Sequence, residues 1–170
     1  MARVTVALWM STIHKLLTSS QLPAWREALR QSGKRLVVTN GCFDLLHVGH
    51  VHYLEQARAL GDALLIGVNA DASVRQLKGP ERPLNMETDR ARVLAALECV
   101  DGVLVFPEMR ADRFLAESKP DIYVKGGDYT LETINPDERR AVEGTGGKIA
   151  FIPFVEGKST TGLISKIQRL

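Results

Sequence analysis

The sequence predicts an α/β domain: a Rossmann-like, doubly wound parallel sheet of five strands with helices on both faces. Two observations carry that prediction. From Leu36 onward, short apolar runs alternate with amphipathic stretches in a repeated strand–helix order. Those runs are apolar along their whole length, as strands covered on both faces must be. A third observation bounds the answer, since 170 residues make one domain.

LVVTN (36–40) is β-branched and ends at Asn40-Gly41, a strand followed by a turn. HVHYLEQARAL (50–60) sets Val51, Leu54 and Ala57 on one helical face, and Gly61 stops it. ALLIGVN (63–69) is the second strand. Thr88 and Asp89 are candidate caps for a helix over 90–98 with Val93, Leu94 and Leu97 inward. GVLVF (102–106) is the third strand, residues 111–118 a short helix, and DIYVKG (121–126) the fourth strand. Pro136 suits the first turn of a helix over 136–143. KIAFIPF (148–154) is the fifth strand and 160–169 the closing helix. Ahead of the sheet, LPAWREALRQSG (22–33) reads as an extra helix packing through Leu22, Trp25, Ala28 and Leu29. Residues 1–14 are expected to be a poorly ordered leader or a surface element, and 15–170 the single domain.

Composition excludes more than it names. Hydrophobic residues make up 45% and charged residues 25%, with 22 basic against 20 acidic side chains and a net charge of +2. That balance argues against disordered, collagen-like and coiled-coil classes and gives no field for nucleic acid or membrane. Neither partner is expected. Cys42 and Cys99 form no framework, which fits a reducing, cytoplasmic setting.

In a doubly wound sheet ligands bind beyond the carboxyl ends of the strands, so the residues after each strand carry the functional reading. GCFDLLHVGH (41–50) follows the first. Gly41 permits a tight turn, and His47 and His50, three apart, can share one pocket at a helix start, where bare N–H groups receive phosphate. A zinc site from Cys42, His47, His50 and His52 is disfavoured because His50 and His52 point to different helix faces. His14 and His52 receive no role. After the last strand, GKSTT resembles the tail of a P-loop, but Ile152 stands where that motif needs glycine. What remains is Ser159, Thr160 and Thr161 opening a helix, a second phosphate-binding start. QLKGPERPLN (76–85) reads as a stiff basic loop; Lys78 there and Arg90 beyond it are candidate polyphosphate clamps. VKGGDYT (124–130) supplies two adjacent glycines and Asp128.

Taken together, TNGCFDLLHVGH (39–50), GPERPLN (79–85), VKGGDYT (124–130) and PFVEGKSTT (153–161) resemble the cytidylyltransferase-like nucleotidyltransferases. Within them the match is nearest to the adenylyltransferase modules of ADP-heptose synthases, over about residues 15–170. The resemblance implies transfer of an adenylyl group from ATP, with Mg²⁺, to D-glycero-β-D-manno-heptose 1-phosphate. It further implies that His47 and His50 hold the phosphates, with Lys78 as a third catalytic group. Asn40, Gly41, Cys42, Phe43, Arg90, Gly127, Asp128, Ser159, Thr160 and Thr161 would bind nucleotide, and Asp44 would brace the loop. No metal ligand is assigned. Phe154, where related glycerol-phosphate cytidylyltransferases have arginine, favours adenine over a pyrimidine. Met86 stands where proline is expected in the heptose enzymes. A homodimer and a separate heptose kinase are the expected partners. The rival readings are a nucleotidyltransferase for CTP or another phosphate, such as glycerol 3-phosphate, and a nucleotide-binding regulator without catalysis.

Overall fold

All seven residues of Ala63–Asn69 are buried, and the sheet is built around that strand. The computed structural model describes residues 12–127, 129–153, 155 and 157–170. Residues 1–11, Asp128, Phe154 and Glu156 lie outside it. The strands are β1 (Leu16–Leu17), β2 (Leu36–Gly41), β3 (Ala63–Asn69), β4 (Gly102–Phe106), β5 (Ile122–Gly126) and β6 (Lys148–Ile152). They pair in the order β1-β4-β3-β2-β5-β6, all parallel. The chain winds outward from β2 through β3 to β4, then returns to β2's other side for β5 and β6. The doubly wound parallel architecture is as the alternation predicts, and β2 and β5 flank its switch point.

The helices are α1 (Leu22–Gln31), α2 (Val48–Arg58), α3 (Asp71–Lys78), α4 (Glu87–Ala95), α5 (Asp112–Ser118), α6 (Pro136–Glu143) and α7 (Thr160–Ile167). On one face, Leu54 and Ala57 of α2 and Ala91, Leu94 and Ala95 of α4 pack on Val37, Ile66 and Val103. On the other, Leu22 of α1, Phe114 and Leu115 of α5 and Val142 of α6 cover Leu36, Val38, Leu65 and Tyr123. Pro136 opens α6 as expected, and Asn135 caps it by accepting from the N–H groups of Asp137 and Glu138.

Several details differ from expectation. A sixth strand exists because Leu16 and Leu17 pair with Val103 and Leu104, a two-residue edge too short to show a period. α3 extends through residues 76–78, the first part of the segment expected as a stiff basic loop; it buries only Ser73 and Val74, so its apolar signature is slight. α4 begins at Glu87, capped by neither Thr88 nor Asp89. Its inward stripe is Arg90, Ala91, Leu94 and Ala95, and Val93 is 52% exposed. In α1, Ala28 is exposed. Beside Leu22, the buried position there is Arg26, whose Nε donates to the Lys119 carbonyl and whose Nη2 meets Asp121 at 3.0 Å. Leu22 is wholly buried, so it offers nothing to a second copy of the chain. Among the described residues, no helix is long and apolar enough to cross a membrane.

Candidate active site

The turn after β2 is shaped by one close approach. A Cβ on Gly41 would fall 3.0 Å from the ring of Phe43, which folds back over it from a left-handed backbone (φ 46°). Phe43 is buried and meets the His50 ring edge-on, at 5.4 Å between centroids. α2 then starts at Val48 with His47 as its extended N-cap, φ −141°, and no side chain caps it. The leading N–H groups of Val48 and Gly49 therefore stay free of intrahelical bonds.

His47 and His50 come together as their spacing predicts. Their rings stack with centroids 3.9 Å apart and planes 23° from parallel. Both Nδ1 atoms are buried without a hydrogen-bond partner. Burial, then the neighbouring His47 ring, pulls His50 down to a pKa of about 4. Burial and the Lys158 ammonium lower His47 in the same direction. Both imidazoles are consequently neutral at pH 7, each presenting one N–H donor and one acceptor.

The second helix start converges on the first. A Cβ on Gly49 would fall 3.2 Å from Cβ of Lys158, immediately before α7. Ser159 caps α7 by accepting the Gly162 N–H at 3.0 Å. Thr160 Oγ1 donates to the Leu45 carbonyl at 3.2 Å, tying the two starts together, and Thr161 is exposed. Two positive helix ends beside one pair of imidazoles can bind a polyanion.

Beneath this opening lies a cluster with its partners in place. Asp44 accepts Arg82 Nε at 2.6 Å and the N–H groups of Leu84 and Asn85 at 2.8 and 2.9 Å, bracing the 79–85 loop. Burial alone would raise its pKa; those N–H groups and Arg82 outweigh it and leave the carboxyl low. Arg90 is placed differently from expectation. It is 2% exposed, with Nε on the Asn85 carbonyl, Nη1 on the Cys42 carbonyl and Nη2 on the Asn69 carbonyl and Asp71 carboxylate. A guanidinium so enclosed holds backbone rather than clamping phosphate. Lys78 is exposed at the end of α3, and burial raises the Cys42 thiol against the opposing charges of Lys78 and Arg90.

Gly127 has φ 101° and its N–H donates to the Ile152 carbonyl at 2.9 Å, joining the ends of β5 and β6. Asp128, read as a nucleotide contact, and Phe154, read as favouring adenine, lie outside the described residues. Asn40 Oδ1 accepts from Tyr123 Oη at 2.6 Å and Lys125 Nζ at 3.3 Å. Lys125 was missed by sequence reasoning because it sits inside a strand pattern, and its partner Glu138 reads as an ordinary surface-helix carboxylate.

The described residues contain no cluster of three or more His, Cys, Asp or Glu able to hold a metal ion. Around the stacked histidines the groups are N–H donors and cations, which do not ligate a hard divalent ion. The described side chains do not fit a Mg²⁺ cage here.

Residues 38–161, well over half the chain, match the cytidylyltransferase-like family model. The chain belongs to the cytidylyltransferase-like family. Nucleotidyl transfer is the class of reaction that membership carries. The chain is 53% identical over 154 residues to the bifunctional protein HldE of Geotalea uraniireducens, covering 91% of this chain and 31% of that protein. With HldE of Syntrophotalea carbinolica it shares 54% over 141 residues, 83% of this chain and 28% of the relative. It thus spans less than a third of these curated relatives. Among solved structures, the lipopolysaccharide core biosynthesis protein of Thermoplasma volcanium superposes with a TM-score of 0.60 at 28% identity, over 74% of this chain and all of that one. Pantoate-β-alanine ligase of Francisella tularensis shares the fold, with a TM-score of 0.57 at 13% identity, 91% of this chain and 79% of that one.

Proposed function

We propose that this cytidylyltransferase-like domain transfers the adenylyl group of ATP to D-glycero-β-D-manno-heptose 1-phosphate, giving ADP-heptose and pyrophosphate. The observation that carries the reading is the stacked pair of neutral, unpartnered imidazoles set where two helix starts meet. An oxygen of the sugar phosphate attacks the α-phosphorus, a new P–O bond forms, and the bond to the β-phosphate breaks with its electron pair leaving on pyrophosphate. The chain supplies no nucleophile. Its residues align the triphosphate and stabilise charge as it builds.

In this reading the imidazole N–H groups of His47 and His50 meet phosphate oxygens as the leaving group gains charge. The turn at residues 40–43 and the start of α2 offer backbone N–H groups, while Ser159, Thr160 and Thr161 receive the rest of the triphosphate. Lys78, exposed at the end of α3, reaches in as a point charge. Gly127 and Asp128 belong to the segment that the resemblance sets near the ribose and base. If ATP is bound as its Mg²⁺ complex, the ion would offset part of the triphosphate charge without ligands from the described residues. Identity at just over half of the positions aligned with the two HldE proteins supports the heptose phosphate as acceptor. A sugar kinase carried outside these 170 residues makes that acceptor, a homodimer is the working assembly, and the cytoplasm, which holds ATP, is the setting.

Pyrophosphate release over a panel of ATP and CTP against heptose 1-phosphate and glycerol 3-phosphate tests the reading. Turnover is expected with ATP and heptose 1-phosphate. Turnover with CTP and glycerol 3-phosphate, and none with ATP, would overturn it. Sedimentation analysis checks the dimer separately.

A further inference from the structure

The winding of the sheet reverses between β2 and β5, and ligands of open α/β sheets sit in the crevice beyond such a pair. The paired imidazoles approach that crevice from the α2 side. The opposite side is furnished too. Asn40 and Lys125 are the last-but-one residues of β2 and β5. Lys125 shares its face with Tyr123, two residues earlier, on the side of α6.

Lys125 Nζ lies 2.9 Å from Glu138 Oε2 and 3.3 Å from Asn40 Oδ1. An ammonium has three donors, so one is left over among the described residues. The rings of Tyr123 and Tyr129 flank it, each with its centroid 5.4 Å from Nζ. Glu138 is itself held: its Oε2, 2.9 Å from Tyr123 Oη, shares that hydroxyl's single proton with Asn40 Oδ1, and its Oε1 accepts the Ala111 N–H at 3.3 Å. Asn40 Oδ1 faces inward to two donors, which turns its Nδ2 outward with no partner among the described residues. The result is a fixed ammonium N–H beside a fixed amide NH₂ at the switch point.

Holding the fold does not call for this arrangement. The Lys125 and Glu138 side chains are only 14% and 7% exposed. Desolvating such a pair costs about what its attraction returns, and an apolar pair would join β5 to α6 as well. A phosphate monoester that must approach a triphosphate, however, needs a cation to offset repulsion between them. Glu138, 2.9 Å from Nζ, keeps that cation in place before the ligand arrives.

We propose that Lys125 Nζ and Asn40 Nδ2 form the subsite for the acceptor's phosphate, gripping the oxygens that do not attack. The proposal rests on the reading of the chain as a phosphosugar nucleotidyltransferase and adds no chemical step to it. Lys125→Met, Lys125→Arg and the double variant Lys125→Met/Glu138→Gln test it; the double variant removes both charges and so leaves no orphaned carboxylate. The readouts are KM for heptose 1-phosphate, KM for ATP, and calorimetric binding of heptose 1-phosphate to protein saturated with a non-hydrolysable ATP analogue. Losing a charge-assisted contact is expected to raise the acceptor KM and its calorimetric Kd roughly 10- to 100-fold, with KM for ATP within about twofold and partial recovery in Lys125→Arg. A double variant that melts with the wild type but keeps its acceptor KM overturns the proposal, and so does a rise confined to KM for ATP. Wild-type protein that binds heptose 1-phosphate without releasing pyrophosphate refutes the reaction, while the binding series still decides the subsite. Wild-type protein that neither binds nor converts it refutes the subsite as well.

Discussion

Two polar clusters meet at the turn after β2, and they treat their hydrogen-bonding groups in opposite ways. Around Arg90 and Asp44, carbonyls, carboxylates and guanidinium find partners within the protein. At His47 and His50, a few residues away, two buried nitrogens have none. An unmade hydrogen bond on a buried group costs about 1–3 kcal/mol, so a folded protein keeps one only where something else is served. The contrast separates the groups that hold the turn in shape from the two imidazoles to which the proposed reaction assigns the phosphates.

Arg90→Met should break the contrast most severely on the structural side. It strips donors from three carbonyls and leaves Asp71 without its cation, an expected loss of about 3–5 kcal/mol seen as a lower urea midpoint. A loss under about 1 kcal/mol would mean that Arg90 is not the brace. His50→Ala should do the reverse. Turnover is expected to fall by about 10²–10³, as when an oxyanion donor is removed, while stability changes by no more than about 1 kcal/mol. Unchanged turnover would make the histidine structural. A smaller effect, about 1 kcal/mol, is expected for Ser159→Ala from loss of the α7 cap, with weaker ATP binding in the same calorimetric series.

The pH dependence sharpens the comparison in the gentlest way. His50 drops from an ordinary 6.5 to about 4 on folding, and His47 moves the same way. Between those pH values the unfolded chain binds more protons than the folded one. The contribution of His50 is therefore present above pH 6.5 and is lost as pH falls toward 4. Bound phosphate would favour the charged imidazoles, so ATP binding in that window should take up protons. Calorimetry in buffers of different ionisation enthalpy measures the uptake, and zero uptake at pH 5.5 would place the phosphates away from the pair.

The strands around the site were legible because each is a short apolar run that cannot be satisfied on a surface. Ala63–Asn69 is the clearest, buried at every position. The histidine pair was legible from a spacing of three at a glycine-bearing helix start. Arg90 was misread because a guanidinium inside a core looks, in sequence, like one at a phosphate site. Lys125 was overlooked for the converse reason, since its partner Glu138 lies 13 positions along the chain. Leu16–Leu17 carries too few residues for any periodicity to register.

By itself, then, the sequence determined the alternation of strand and helix, the loops that gather beyond the strands, and the two helix starts suited to phosphate. These follow from local properties: apolar run length, turn residues and helix entry. Only the tertiary structure decided which cations stand inside and which partners each one meets. Burial and partnership are set by segments distant in sequence, and the same arginine or lysine changes role with the carbonyls and carboxylates that the fold brings to it.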